Sequence, residues 1–195
     1  MAIINIRGTS GSGKSTLVRR VMELYETKAA VRLKEGRKQP IGYILSKGMH
    51  RSLALVGHYE TDCGGCDTIA NMDEIYANVR QASFAEMDVL FEGLLISADA
   101  NRIIKLWEDL FTHTSVRVIA LDTPLELCLE SVNHRRRNAA MVKGREYKGD
   151  VNPKNTASKF TGVKSSMKRI EAAGVPCSWE SRDSAFERIK QEFKL

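Results

Sequence analysis

Apolar positions fall along this chain in short continuous runs separated by helical stripes. Ala2 to Ile6 reads as a buried strand. Behind it Leu17, Val18, Val21, Leu24 and Tyr25 recur at helical spacing, predicting a helix over about 14–27. Two β-rich runs, 30–34 and 41–46, flank Gly36-Arg37-Lys38-Gln39-Pro40 and predict a β-hairpin insertion over about 30–47. Leu53 to Gly57 is the next core strand, and 73–87 is helical through Ile75, Val79, Ala82 and Glu86. Val89-Leu90-Phe91-Glu92-Gly93 is a short apolar strand ending in an acid. A helix over 98–112 then turns Ile103, Leu106, Trp107 and Leu110 inward. The second half repeats the alternation. Val116 to Leu121 is a strand, and Asp122-Thr123-Pro124 supplies a helix cap and a first-turn proline. The helix from Pro124 runs into Arg135-Arg136-Arg137. Residues 138–153 are polar, basic and glycine-bearing, predicting a loop, so that 135–153 forms a small lid. Phe160, Val163, Met167 and Ile170 mark another helix, capped by Gly174, before a strand over 175–179 and a helix over 184–193.

Strands alternating with helices call for an α/β domain, a parallel sheet with helices on both faces, spanning 1–195 as one unit. Sites in such a sheet gather at the carboxyl ends of the strands. Gly8 to Ser15, Asp62, Glu92 and Asp122 all fall at such ends.

The first of these is the most specific. Gly8-Thr9-Ser10-Gly11-Ser12-Gly13-Lys14-Ser15-Thr16 satisfies G-x-x-x-x-G-K-[ST] between a strand and a helix. Glycines let successive backbone N–H groups converge on one anion, and the helix N-terminus adds positive dipole. Lys14 reaches the β- and γ-phosphates of a nucleotide, and the Ser15 hydroxyl is placed for Mg²⁺. Gly8, Ser10, Gly11, Ser12, Gly13, Lys14, Ser15 and Thr16 form the expected nucleotide site. ATP and Mg²⁺ are the expected small partners.

Charge adds a second partner. The net +6 is concentrated: between Arg135 and Arg169 eleven lysines and arginines face only Glu146 and Asp150, and between Lys28 and Arg51 seven face only Glu35. Two basic stretches on an otherwise acidic chain suit a polyanion, either nucleotide phosphates alone or a nucleic-acid backbone as well. Cys63 and Cys66 form a lone C-x-x-C with no second pair for zinc, so Asp62-Cys63-Gly64-Gly65-Cys66-Asp67 reads as a substrate loop. No apolar run approaches the ~20 residues of a membrane helix and no secretory signal precedes the first strand, so a cytoplasmic protein without a membrane partner is expected.

Phosphoryl transfer needs positioning and charge neutralisation. Glu92 is the expected acid beside the metal. Asp62 suits the general base, with Asp67 and Glu92 as competitors, and at least one of Arg135, Arg136 and Arg137 is expected on phosphate.

These features together resemble the P-loop kinase group that includes nucleoside monophosphate, shikimate, gluconate and polynucleotide kinases. The resemblance rests on Gly8 to Thr16, on Leu90-Phe91-Glu92-Gly93, and on Asp122-Thr123-Pro124 leading into Arg135 to Arg137. It implies a three-layer P-loop NTPase fold with a five-stranded parallel sheet, and it gives Arg135, Arg137 and Asp62 catalytic roles. The thymidylate-kinase Asp-Arg-[Tyr/His] signature is replaced by Glu92-Gly93-Leu94. More narrowly, His58-Tyr59-Glu60-Thr61-Asp62-Cys63-Gly64-Gly65-Cys66-Asp67-Thr68 and Asn152-Pro153-Lys154-Asn155-Thr156 are similar to bacteriophage kinases that phosphorylate 5-hydroxymethyluracil within DNA, the phosphate then serving as leaving group in thymidine hypermodification. That resemblance implies DNA containing a hydroxymethylpyrimidine as acceptor, with His58, Tyr59, Gly64, Gly65 and Asp67 around the flipped base. A nucleotide or small-molecule kinase of the same fold is the alternative, and a nucleotide-controlled switch or ATPase is the alternative of another class.

Overall fold

The computed structural model describes residues 1–31, 39–61, 64–69 and 71–195. Strand β1 (Ala2–Arg7) lies near the middle of a seven-stranded sheet, because every one of its residues is buried and it can be covered on both faces. The other strands are β2 (Thr27–Val31), β3 (Gly42–Ser46), β4 (Leu53–Val56), β5 (Asp88–Glu92), β6 (Ser115–Leu121) and β7 (Cys177–Glu180), in the order β2-β3-β4-β5-β1-β6-β7. The five from β4 to β7 are mutually parallel, as expected. The hairpin is not a separate projection. β2 and β3 pair antiparallel and β3 pairs antiparallel with β4, so the insertion widens the sheet to seven strands. It begins at Thr27, which ends the first helix earlier than its stripe suggests. Residues 32–38, with most of the turn expected between its runs, lie outside the described residues.

Helices α1 (Lys14–Met22) and α7 (Arg182–Phe193) cover one face. Leu17, Val18, Val21, Ala185, Ile189 and Phe193 pack there with Ile4 and Ile6. Helices α2 (Met72–Phe84), α4 (Asn101–Leu110) and α6 (Pro153–Ala172) cover the other, where Ile75, Val79, Ile103, Leu106, Val163, Met167 and Ile170 meet Ile3 and Phe91. Alternation along β1 puts Asn5 and Arg7 on this second, apolar side. Arg7 is fully buried, and its guanidinium donates to Asn5 Oδ1 (2.7 Å), Ser166 Oγ (2.6 Å), Ser97 O (3.2 Å) and Asp99 O (2.8 Å). Burial lowers its pKa to about 10.

Two predicted elements change. The helix expected over 98–112 is preceded by a separate turn of helix, α3 (Leu94–Ala98), immediately after Gly93. Helix α5 (Leu125–Val142) runs through all three arginines and on to Val142, so the lid expected over 135–153 is half helix. Asn138-Ala139-Ala140-Met141 contains strong helix formers that outweigh the basic character of the run. Gly144, at φ +57°, ends the helix: Gly144 N–H and Arg145 N–H return to Met141 O and Ala140 O. Pro124 is the N-cap residue of α5 rather than part of its first turn, and no side chain caps that end.

Candidate active site

A cleft of about 750 Å³ opens where the strands end, lined by the phosphate loop, the start of α1, Glu92, the 64–67 segment, α5 and Arg182. The phosphate loop is shaped by left-handed glycines. Gly11 has φ +84°, and a Cβ there would lie 2.2 Å from Cys128 O of α5, so only glycine allows the loop to rest on that helix. Thr123 Oγ1 donates to Ser12 O at 3.0 Å, fixing the loop from the β6 end. Ser10, Gly11, Gly13, Lys14, Ser15 and Thr16 face the cleft, whereas Gly8 and Ser12 pack behind them.

Lys14 Nζ donates to Gly8 O (2.8 Å) and Thr9 O (3.1 Å). Ser15 Oγ donates to Glu92 Oε1 at 2.7 Å. The predicted hydroxyl and carboxylate are therefore adjacent, on segments 77 residues apart in sequence. Burial pushes the Glu92 carboxyl up and the Lys14 ammonium down, and each opposes the shift of the other. A buried carboxylate beside a hydroxyl, at the foot of a phosphate loop, is an oxygen donor set that fits Mg²⁺, which takes few protein ligands and completes its shell with phosphate and water.

Across the cleft, the loop after β4 is closed by a backbone pair. His58 N–H donates to Gly65 O (3.1 Å) and Gly65 N–H to His58 O (2.8 Å). Gly64 lines the cleft, and Gly65 packs so closely that a Cβ would lie 2.6 Å from Glu92 Oε1. His58 and Tyr59 are buried beneath this loop rather than lining the cleft. Asp62 and Cys63 lie outside the described residues. Asp67 lines the cleft, but its carboxylate accepts from Leu94 N–H (2.9 Å) and Leu95 N–H (3.2 Å), capping α3. Cys66 is a buried free thiol, with its pKa pushed up by burial. Among the described residues, which do not include Cys63, no group of three or more His, Cys, Asp or Glu could hold a metal.

One face of α5 completes the wall: Glu130, Ser131, His134, Arg135 and Asn138, at spacings of three and four. Residues two apart on a helix point about 200° apart, so Arg137 faces away. It pairs with Asp150 at 3.1 Å and is exposed. Two further arginines line the cleft: Arg19, which sequence reasoning did not single out, and Arg182, at the end of the 178–182 turn expected with Arg137 to contact the nucleotide base. Arg19 on α1 donates to Tyr59 O (3.4 Å) and to Thr61 O, tying the loop after β4 to the phosphate-loop helix. Arg182 lies over Gly13, where a Cβ would come within 2.6 Å of its Cδ. Both belong to helix starts or exposed helix faces in the sequence, which carry no motif.

Among the described residues no helix is long and apolar enough to cross a membrane. The chain is 52% identical over 189 residues to the 5-hmdU DNA kinase of Pseudomonas phage PaMx11, covering 97% of this chain and 95% of that protein. It is 30% identical to the 5-hmdU DNA kinase of Delftia phage PhiW-14, covering 96% and 70%. Among solved structures, a chain from the PezAT chromosomal toxin–antitoxin system of Streptococcus pneumoniae superposes with a TM-score of 0.51 at 14% identity, covering 99% of this chain and 78% of that one, a likeness of fold. The family description "5-hmdU DNA kinase" matches residues 2–176, and with the phage relatives it shows that the chain belongs to the 5-hmdU DNA kinase family.

Proposed function

We propose that this protein transfers the γ-phosphate of ATP to the hydroxymethyl oxygen of 5-hydroxymethyluracil in DNA, in the cytoplasm of a phage-infected host. The observation that carries the reading is the shared cleft. A phosphate loop and the Ser15–Glu92 pair form one wall, the loop closed by His58 and Gly65 another, and Arg135 a third. A switch or a plain ATPase has no use for a second walled side of the cleft across from the phosphate loop.

In this reading the loop amides and Lys14 hold the β- and γ-phosphates. Mg²⁺, when bound at Ser15 and Glu92, neutralises phosphate charge. The hydroxymethyl oxygen attacks the γ-phosphorus, the bond to the β–γ bridging oxygen breaks, and ADP leaves. The hydroxyl proton passes to a carboxylate. Asp67 is engaged by two backbone N–H groups and Glu92 by Ser15, so we assign the base to Asp62, three residues before Gly65 in the sequence. Arg135 faces the charge that develops on the transferred group.

The test uses γ-labelled ATP with DNA containing 5-hydroxymethyluracil, ordinary DNA, and free nucleosides and nucleotides offered separately. Label confined to the modified DNA supports the proposal. Label in a free nucleotide overturns it in favour of a nucleotide kinase, and release of inorganic phosphate alone overturns it in favour of an ATPase. Asp62→Asn should abolish transfer while leaving ATP binding intact; near-normal turnover removes Asp62 as base.

A further inference from the structure

The stripe of α5 that lines the cleft does not stop at Asn138. Three and four residues further on, the same face carries Met141 and Val142, which are 76% and 82% exposed. Large apolar side chains so exposed, at the end of a helix whose previous turn lines the active site, have no packing role within the chain. The segment that follows, 143–148, is net positive, with one acid, Glu146, among its exposed residues. Lys143, Arg145 and Lys148 follow directly and are exposed, while Arg137 is already paired with Asp150.

We infer that Met141 and Val142 form a wedge that enters the base stack of duplex DNA and fills the space vacated by the target base, while Lys143, Arg145 and Lys148 hold the adjoining phosphates. This rests on the DNA-kinase reading above. A hydroxymethyl group inside a duplex cannot reach a phosphate loop at the foot of a cleft, so the base must leave the stack. Apolar side chains that enter a base step offset part of the lost stacking, and Met is among those that do so. The spacing is compatible with this role, because Met141 lies six residues beyond Arg135, about 9 Å along the helix axis. The adjoining cations argue for a nucleic-acid occupant, since exposed Met and Val followed by Lys143, Arg145 and Lys148 match a surface apolar in its stacked bases and anionic at its edge.

The experiment compares one modified strand, unpaired and in duplex, as substrate for the parent protein and for the double variant Met141→Ser, Val142→Ser. Both positions are exposed, so folding is expected to survive, checked by an unchanged melting temperature. The duplex-to-single-strand ratio of kcat/KM should fall by about tenfold or more in the variant, the effect of losing part of the few kcal/mol that unstacking costs. An equal fall on both substrates, or no fall, overturns the wedge. A 2-aminopurine placed beside the target reports unstacking independently: fluorescence should rise when the parent binds duplex and rise much less with the variant. An equal rise in both overturns the inference. If the apolar pair instead joins two copies of the chain, the variant will sediment more slowly than the parent and the substrate ratio will stay constant, which also overturns it. A parent that labels neither strand overturns the kinase reading itself, a separate result.

Discussion

Glu92 is held by what surrounds it more than by its own strand. Ser15 bonds its carboxylate, Lys14 shares its buried environment, and Gly65 leaves the space it occupies. Gly65 has φ +90°, and a Cβ would meet both the side chain and the backbone oxygen of Glu92 at 2.6 Å. Gly65→Ala therefore strains the loop by about 1–3 kcal/mol and displaces the carboxylate. The expected outcome is a lower melting temperature together with a raised requirement for Mg²⁺, read by titrating the metal in the transfer assay. Asp67 gives the opposite contrast. Its carboxylate caps α3, so Asp67→Ala should cost about 1 kcal/mol of stability, as the loss of a cap does, and should leave most of the turnover. Denaturant unfolding beside initial rates checks both halves. A loss of turnover of about a thousandfold without a stability change makes Asp67 the base. The residue types needed here were legible in the sequence, because strand ends and the glycine motif announce them. The geometry of Gly65 was not, since it arises from two segments that meet only when β4 and β5 pair.

Helix α5 decides which arginine can act. The sequence places Arg135, Arg136 and Arg137 together where a helix is expected to open into a loop at Asn138, and leaves open which of the three meets phosphate. A helix through Val142 narrows the choice. Arg135 shares its face with Glu130, Ser131, His134 and Asn138, and Arg137 is paired on another side with Asp150. Arg135→Ala should lower kcat by about 10²–10³ with little change in ATP affinity. Arg137→Ala should change kcat by less than about threefold, both read from steady-state kinetics on modified DNA. An equal loss in both variants means that α5 unwinds or rotates when substrate binds. The strands were more accessible to sequence reading than their order in the sheet, because continuous apolar runs leave few alternatives for what is a strand. The helix ends were less so: Ala139-Ala140-Met141 and the basic residues around them give opposing signals, and only Gly144 resolves where the helix stops. Arg7 is the other instance. It follows the apolar run Ala2 to Ile6 and reads as a strand end, yet it is buried and joins β1 to α3 and α6 through carbonyl and hydroxyl acceptors that are far apart in sequence.

At the scale of the whole molecule, the sheet divides the work. The phosphate loop, Glu92 and the loop from His58 to Asp67 follow the carboxyl ends of adjacent parallel strands, β1, β5 and β4. The basic end of α5 and the start of α6 follow β6, which lies on the opposite side of β1 from β5. The hairpin adds two strands at the far edge, next to β4. If the surface after α5 tracks a DNA backbone, its contacts displace condensed counterions, and affinity falls with salt in proportion to the phosphates engaged. Replacing Lys143, Arg145 and Lys148 by Ala should lower the slope of log affinity against log salt by about 0.9 for each phosphate contact removed, the value for duplex DNA. Because these residues lie outside the cleft, the affinity for ATP should stay unchanged. The weakening should also be about equal for modified and unmodified duplex, since phosphate contacts carry no base information. Filter retention across a salt series measures the slope, and nucleotide titration measures the affinity for ATP. An unchanged slope removes this surface from the DNA path and moves the search to the other basic stretch, between Lys28 and Arg51, where the hairpin borders β4.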